Sequence, residues 1–169
     1  MIAVRTRRAA LAVVSLVLGH AAQGGLLDSP PPRFGTVDGK VIFRMGPIHF
    51  QPGRTDTVIT CTNVGEVEAK VAVEIFDEGD HVVGNSADAA VPASGGSITF
   101  VTSADASRAH WVVVEGLAPL DHGKARVSAT TANLTCSAYH QIREPDGSVR
   151  EQPLELIKKV SQPSAPAIR

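Results

Sequence analysis

Apolar and polar residues alternate with a period of two along most of the chain. The clearest case is the segment EAKVAVEIF, in which Ala69, Val71, Val73 and Ile75 share one face and mostly charged residues occupy the other. Successive side chains of a β-strand point to opposite sides of the sheet, so this alternation predicts strands that bury one face.

Strand-like segments recur along the chain, and turn-forming residues separate them. The predicted strands are KVIFRM, TVITCTN, EAKVAVEIF, SITFVT, HWVVVEG, KARVSAT, NLTCSAYHQ and PLELIKKV. The intervening segments NVGE, DEGD, PASGGS, DHGK and PDGS combine glycine with residues that favour tight turns. Seven or eight short strands with these turns predict an all-β fold, an immunoglobulin-like antiparallel β-sandwich, which we place at residues 37–160.

The N-terminal segment, residues 1–24, has the layout of a secretory signal peptide. Arginines at positions 5, 7 and 8 precede the run AALAVVSLVL, which is followed by small residues. The run is too short to cross a bilayer as a helix, which needs about 20 residues. Cleavage after Ala21 and cleavage after Gly24 both fit the pattern. We therefore expect a protein exported to the periplasm or beyond the cell, with no stable membrane anchor.

Proline-rich segments flank the predicted domain. Residues 25–36 contain DSPPPRFG and predict an extended linker, because consecutive prolines do not form a regular helix. Residues 161–169, SQPSAPAIR, offer little to bury and predict a disordered tail.

The composition argues against two kinds of partner. Aromatic residues make up only 4% of the chain and the formal net charge is −1. Nucleic acids and anionic lipids are bound by clustered lysine and arginine. We therefore expect no nucleic-acid partner and no attachment to a lipid surface.

The two cysteines lie in similar settings. Cys61 in TVITCTN and Cys136 in NLTCSAY are each on the more apolar face of a predicted strand. Two cysteines in an exported chain predict a disulfide bond, because compartments beyond the inner membrane permit oxidation. The alternative is a pair of buried free thiols that pack as small apolar groups.

Four segments, TVITCTN, AKVAVEIFDEGD, GKARVSATT and LTCSAYH, resemble those of a group of small exported bacterial proteins of unassigned function. Those proteins pair a CTN strand with a later strand that contains cysteine. The resemblance covers residues 41–142. It implies an exported β-sandwich, and it transfers no catalytic residue because its motifs are strand and turn patterns.

Candidate metal ligands fall into two sets. The segment DEGDH brings Asp77, Glu78, Asp80 and His81 together in sequence, although a solvated hairpin turn explains the same pattern. The second set comprises the histidines His49, His81, His110, His122 and His140. None of these histidines forms a close ligand pair in sequence, but three of them could converge in space.

Catalytic motifs are lacking in the sequence. Ser94 and Ser97 in PASGGS do not have the strand-to-helix setting of a reactive serine, and no phosphate-binding loop is present. We therefore expect no catalytic residue and no cofactor or metal, and the only site residues that we assign are the disulfide cysteines Cys61 and Cys136.

These features predict an exported, non-enzymatic β-sandwich domain with a structural, adhesive or protein-binding role, whose partner is another exported or cell-surface protein. The alternative is a periplasmic metal-binding or hydrolytic protein that uses histidine and aspartate residues of its loops. A third possibility is binding by strand addition, although the two lysines of PLELIKKV protect that edge. Convergence of three or more candidate ligands would favour the alternative.

Overall fold

The computed structural model describes residues 30–103 and 111–158. These residues form an all-β fold of thirteen strands, so the predicted class is confirmed. Within these two ranges, no helical segment has the length and apolar character of a membrane span. The predicted signal peptide, the first part of the predicted linker, His110 and the predicted tail lie outside the described residues.

The strands follow one another along the chain with short connections. They are β1 (Arg33–Phe34), β2 (Val37–Asp38), β3 (Lys40–Phe50), β4 (Thr55–Asn63), β5 (Ala69–Phe76), β6 (Val82–Ser86), β7 (Ala89–Val91), β8 (Ser97–Val101), β9 (Trp111–Glu115), β10 (Leu120–Ala129), β11 (Leu134–Arg143), β12 (Val149–Pro153) and β13 (Leu156–Lys158).

Two layers make up the sandwich. One layer has the order β13-β3-β10-β5-β6, with β7 also paired to β5, and the other has the order β12-β11-β4-β8. Strand β9 pairs antiparallel with β6 and parallel with β8, and it therefore connects the two layers. All other pairings are antiparallel, and β1 and β2 form a separate hairpin.

Side chains from both layers form one hydrophobic core. Val71, Val73 and Ile75 of β5 are fully buried on the face that the alternation predicts, and they share the core with Ile59 of β4 and Phe100 of β8. Removal of β-branched and aromatic side chains from water is the main term that holds the two layers together.

Each of the eight predicted segments overlaps a strand of the structure. The other strands are β1, β2, β6, β7 and β12, none longer than five residues. These strands are short or largely exposed, and they leave little apolar alternation in the sequence.

The segment predicted as a linker contributes to the fold. Arg33–Phe34 pairs with Val37–Asp38, and Phe34 is buried. The Nη2 atom of Arg126 donates a hydrogen bond of 2.8 Å to the carbonyl oxygen of Pro30. An aromatic side chain and a backbone carbonyl thus fix part of residues 25–36 against the sandwich.

Candidate functional site

The predicted disulfide is present in the structure and lies within one layer. Cys61 on β4 is directly opposite Cys136 on β11, and the two are bonded with a Cα–Cα distance of 4.1 Å. Cys61 is fully buried. The bond links neighbouring strands rather than the two layers, and both cysteines of the chain are used in it.

The DEGDH segment forms the turn between β5 and β6, and its polar groups bind one another. The Oδ1 atom of Asp77 accepts a hydrogen bond of 2.9 Å from the backbone N–H of His81, and its Oδ2 atom lies 3.2 Å from Nδ1 of the same histidine. The backbone bond from His81 is the main cause that lowers the pKa of Asp77. Asp80 accepts a 2.6 Å hydrogen bond from Nζ of Lys124. The segment is therefore a turn whose side chains pair with one another and with Lys124 of β10.

Three of the candidate histidines come together elsewhere. The ring of His49 on β3 contacts the ring of His140 on β11, with centroids 4.8 Å apart. It also contacts the ring of His122 on β10, with centroids 5.6 Å apart. Both pairs meet edge to face. We call these three residues the histidine cluster, which includes one residue from the second layer and two from the first.

A bulge in β10 brings His122 opposite His49. Leu120 pairs with Phe50 and Gly123 pairs with Ile48, so two residues of β10 face the single residue His49 of β3. This two-against-one arrangement is a β-bulge, which redirects side chains locally. The two residues are Asp121 and His122. The bulge thus presents a carboxylate and an imidazole at the same position.

His140 is the buried member of the cluster, with 3% of its surface exposed. Burial lowers the pKa of His140, and a positive charge on His49 lowers this pKa further, while the Pro47 carbonyl raises it. The Nε2 atom lies 3.2 Å from the oxygen of Pro47. A carbonyl pairs only with an N–H, so this contact assigns the hydrogen to Nε2 and leaves Nδ1 with a free lone pair.

A cavity of about 400 Å³ lies beside the histidine cluster. His49 and His140 line it, together with the carboxylates Asp121 and Glu155. The apolar part of the wall comes from Phe50, Ile142 and Leu154. The described residues of the wall include no lysine or arginine, so its fixed charge is negative.

The candidate ligands therefore do not form a single site. His49, His122 and His140 meet, whereas Asp77, Asp80 and His81 belong to the β5–β6 turn. Within residues 30–103 and 111–158, no group of three or more histidine, cysteine, aspartate or glutamate side chains could hold a metal ion.

Sequence reasoning did not locate the cavity or the partners of His49. One signal was available: Leu134, Cys136, Ala138 and His140 alternate along the same strand, so His140 has the parity of an inward-facing residue. No comparable signal exists for His122, because the β10 bulge breaks the period-two relation at that position.

Comparison of the chain with family models, with curated proteins and with solved structures finds no match.

Proposed function

We propose that the protein is an exported, non-enzymatic β-sandwich domain that binds another exported or cell-surface protein through the cavity beside the histidine cluster. The observation that supports this role is the cavity of about 400 Å³. Its wall combines apolar side chains with a larger polar part, and polar groups set beside apolar surface orient the bound group in many protein binding sites. A cavity of this size accepts one or two side chains of a partner.

Export is supported by two features at distant positions in the chain. Residues 1–24 have the arginines, apolar run and small residues of a signal peptide. The bond between Cys61 and Cys136 is of a kind that persists in oxidising compartments.

The strand next to the cavity provides a route for a partner segment. Strand β12 is the outermost strand of its layer, and all five of its residues are exposed. Gln152 and Pro153, at its end, also line the cavity. An extended peptide paired with β12 would gain main-chain hydrogen bonds and place a side chain in the cavity. A role in protein binding therefore uses the edge and the cavity together.

Site-specific photo-crosslinking in the native host tests this proposal. A photoreactive phenylalanine analogue replaces Gln152, which lines the cavity, or Glu151, its neighbour on the opposite face of β12. We expect a discrete covalent adduct with an exported protein from position 152 and a much weaker one from position 151. The additional substitution Ile142→Trp, which narrows the cavity, should reduce the adduct. Equal labelling from positions 151 and 152, or labelling from neither, would contradict the proposal.

The second candidate function is that of a periplasmic metal-binding or hydrolytic protein. The ring of His49 contacts the rings of His122 and His140, but among the described residues no group of three or more candidate ligands could hold a metal ion. The hydrolytic form of this alternative gains no support from the described part of the chain. Asp77, Asp80 and His81 give neither form of this alternative any support, because their side chains are engaged within their own turn and with Lys124.

A further inference from the structure

We infer that the cavity beside the histidine cluster binds a cationic side chain of the partner, a lysine or an arginine. The inference rests on the proposed function, because it names the residue type that a protein partner places in the cavity. Three separate features of the wall support it: two carboxylates without a cation, a buried hydrogen-bond acceptor and an apolar surface.

Two carboxylates on the wall have no cation of their own. Asp121 in the β10 bulge and Glu155 between β12 and β13 line the cavity, and both are exposed. In the part of the chain that the structure describes, neither carboxylate forms a hydrogen bond or an ion pair. By contrast, Asp80 and Glu74 are paired with a lysine and an arginine. The wall therefore has two uncompensated negative charges, which attract a positively charged group.

His140 provides a hydrogen-bond acceptor on the same wall. Its Nε2–H bonds to the Pro47 carbonyl, so Nδ1 keeps a lone pair, and no described residue donates a hydrogen bond to it. The N–H groups of an ammonium or guanidinium are donors that fit this acceptor. Burial lowers the pKa of His140, so the ring is neutral at neutral pH and does not repel a cation.

The apolar part of the wall matches the stem of a long cationic side chain. Phe50, Ile142 and Leu154 contribute this surface. Lysine and arginine bury their aliphatic stems along apolar groups while their charged ends bind polar ones. A purely apolar side chain would fill the same space but would leave the two carboxylates and the His140 acceptor without a partner. The cavity should therefore discriminate by charge between side chains of similar length.

The position of the cavity fits a cationic residue on an extended partner segment. Gln152 and Pro153, at the end of the edge strand β12, line the cavity. A strand paired with β12 presents every second side chain on the cavity side. The basic residue Arg150 of β12 is paired with Glu144 and is not part of the wall. A lysine or arginine of the partner strand therefore meets a wall of negative charge.

Titration of the processed protein with three fluorescent peptides, followed by anisotropy, tests the inference. The peptides share one strand-forming sequence and differ only in the central residue, which is lysine, arginine or norleucine. At about pH 8 histidine side chains are neutral, and about 0.15 M salt screens charges that are more than roughly 8 Å apart. We expect saturable binding of the lysine and arginine peptides and roughly tenfold weaker binding of the norleucine peptide.

Variants of the protein identify the groups that recognise the charge. Asp121→Asn and Glu155→Gln each remove one negative charge with little change of shape, and each should weaken binding of the lysine and arginine peptides severalfold. Binding of the norleucine peptide should stay unchanged. Glu151→Gln is the matched control, because it removes the same charge from β12 at a position outside the cavity wall. It should bind all three peptides like the parent.

Several outcomes would overturn the inference, provided that thermal melts show each variant to be folded. One is equal affinity of the parent for the norleucine and lysine peptides, and another is the absence of saturable binding. Full binding of the lysine peptide by both Asp121→Asn and Glu155→Gln would also overturn it. An equal loss in Glu151→Gln would do the same, because the peptide would then be attracted to acidic surface in general.

The crosslinking experiment separates this inference from the proposed function. A Gln152 adduct in the native host, together with equal affinity for the three peptides, overturns the preference for a cation alone. Preference for the lysine and arginine peptides without an adduct overturns the exported partner and keeps the charge preference of the cavity.

Discussion

At the scale of single residues, the disulfide has the largest expected effect. Cys61 and Cys136 are 75 residues apart in sequence, and in the chain-entropy model a cross-link that closes such a loop raises the free energy of the unfolded chain by about 4.5 kcal/mol. We expect Cys61→Ala to lower the free energy of unfolding by about 2 to 5 kcal/mol. Urea unfolding with and without reductant measures this change.

The double variant Cys61→Ala, Cys136→Ala is the control, since reductant should hardly change its stability. Thiol titration of the denatured, unreduced parent should find no free sulfhydryl. Two free sulfhydryls in exported protein would show that the bond is absent in the cell.

Two arginines at paired positions have opposite surroundings. Arg126, with 1% of its surface exposed, donates hydrogen bonds of 2.6 and 3.0 Å to the carboxylate of Glu74. Arg44 is its partner in the strand register, and its buried Nε and Nη2 atoms have no hydrogen-bond partner among the residues the structure describes. Removing a buried charge that has a partner changes the free energy of unfolding differently from removing one that has none.

We expect Arg126→Met to lower the free energy of unfolding by about 3 to 5 kcal/mol, because Glu74 is then left without its partner. Arg44→Met should be neutral or stabilising, because it removes donors whose burial is uncompensated. Urea unfolding of both variants gives the comparison. If the two variants lose the same free energy of unfolding, the Arg44 guanidinium must be hydrogen-bonded in solution.

At the scale of elements, the β10 bulge depends on one glycine. A Cβ atom at Gly123 would lie 2.3 Å from Cδ2 of Leu120 and 3.0 Å from the backbone oxygen of Phe76. Leu120 can shift, but the backbone of β5 cannot move easily within its sheet. Gly123→Ala should therefore cost about 1 to 3 kcal/mol of stability and displace His122 from His49.

Gly46→Ala is the matched control, because its Cβ would meet the Gly123 oxygen at 3.5 Å and Cα of Lys124 at 4.0 Å, both ordinary contact distances. Urea unfolding measures the cost, and histidine ring resonances in NMR spectra report the geometry of the cluster. An unchanged cluster in a fully stable Gly123→Ala variant would show that the bulge does not position His122.

The elements that the sequence predicts well are those that bury one face. The alternation in β5 is clear because Val71, Val73 and Ile75 all face the core. Strand β12 left no such signal, since all five of its residues are exposed and its strand conformation depends on pairing with β11. Edge strands of this kind are fixed by their neighbours and not by their own pattern.

The candidate site was predictable only in part, for a related reason. Cys61 and Cys136 could be paired because the chain has no other cysteine. The histidine cluster joins residues from β3, β10 and β11, and which histidines meet depends on strand order and on a bulge. Neither the strand order nor the bulge can be predicted from the local alternation of apolar and polar side chains.

At the scale of the whole molecule, the proposed export predicts removal of the N-terminal segment. Mass spectrometry of the protein from the native host should find a new N-terminus near Ala22 or Gly25, because both follow small residues after the apolar run. An intact Met1 on protein from the cytoplasm would contradict the localisation and would remove the oxidising setting on which the disulfide depends.

The stability of the whole domain should also depend on pH through His140. Burial lowers its pKa in the folded protein below the usual 6.5, so between the two values the unfolded chain binds more protons than the folded one. Stability is then fully present above about pH 6.5 and falls as the pH drops toward the folded pKa, by at most ~1.4 kcal/mol per pH unit for one group. The carboxylates with lowered pKa, Asp77 and Asp146, change the stability only at more acidic pH.

Urea unfolding across this range, in buffer with a chelator so that no metal contributes, should show the loss in the parent and in His81→Gln. His140→Gln keeps a donor for the Pro47 carbonyl but cannot titrate, so its stability should be flat over the same interval. An NMR titration of the parent checks the cause directly, because the ring of His140 should protonate below pH 6.5. Protonation at or above that value would mean that burial does not keep this ring neutral, and that the cluster accepts a charge without opposing the fold.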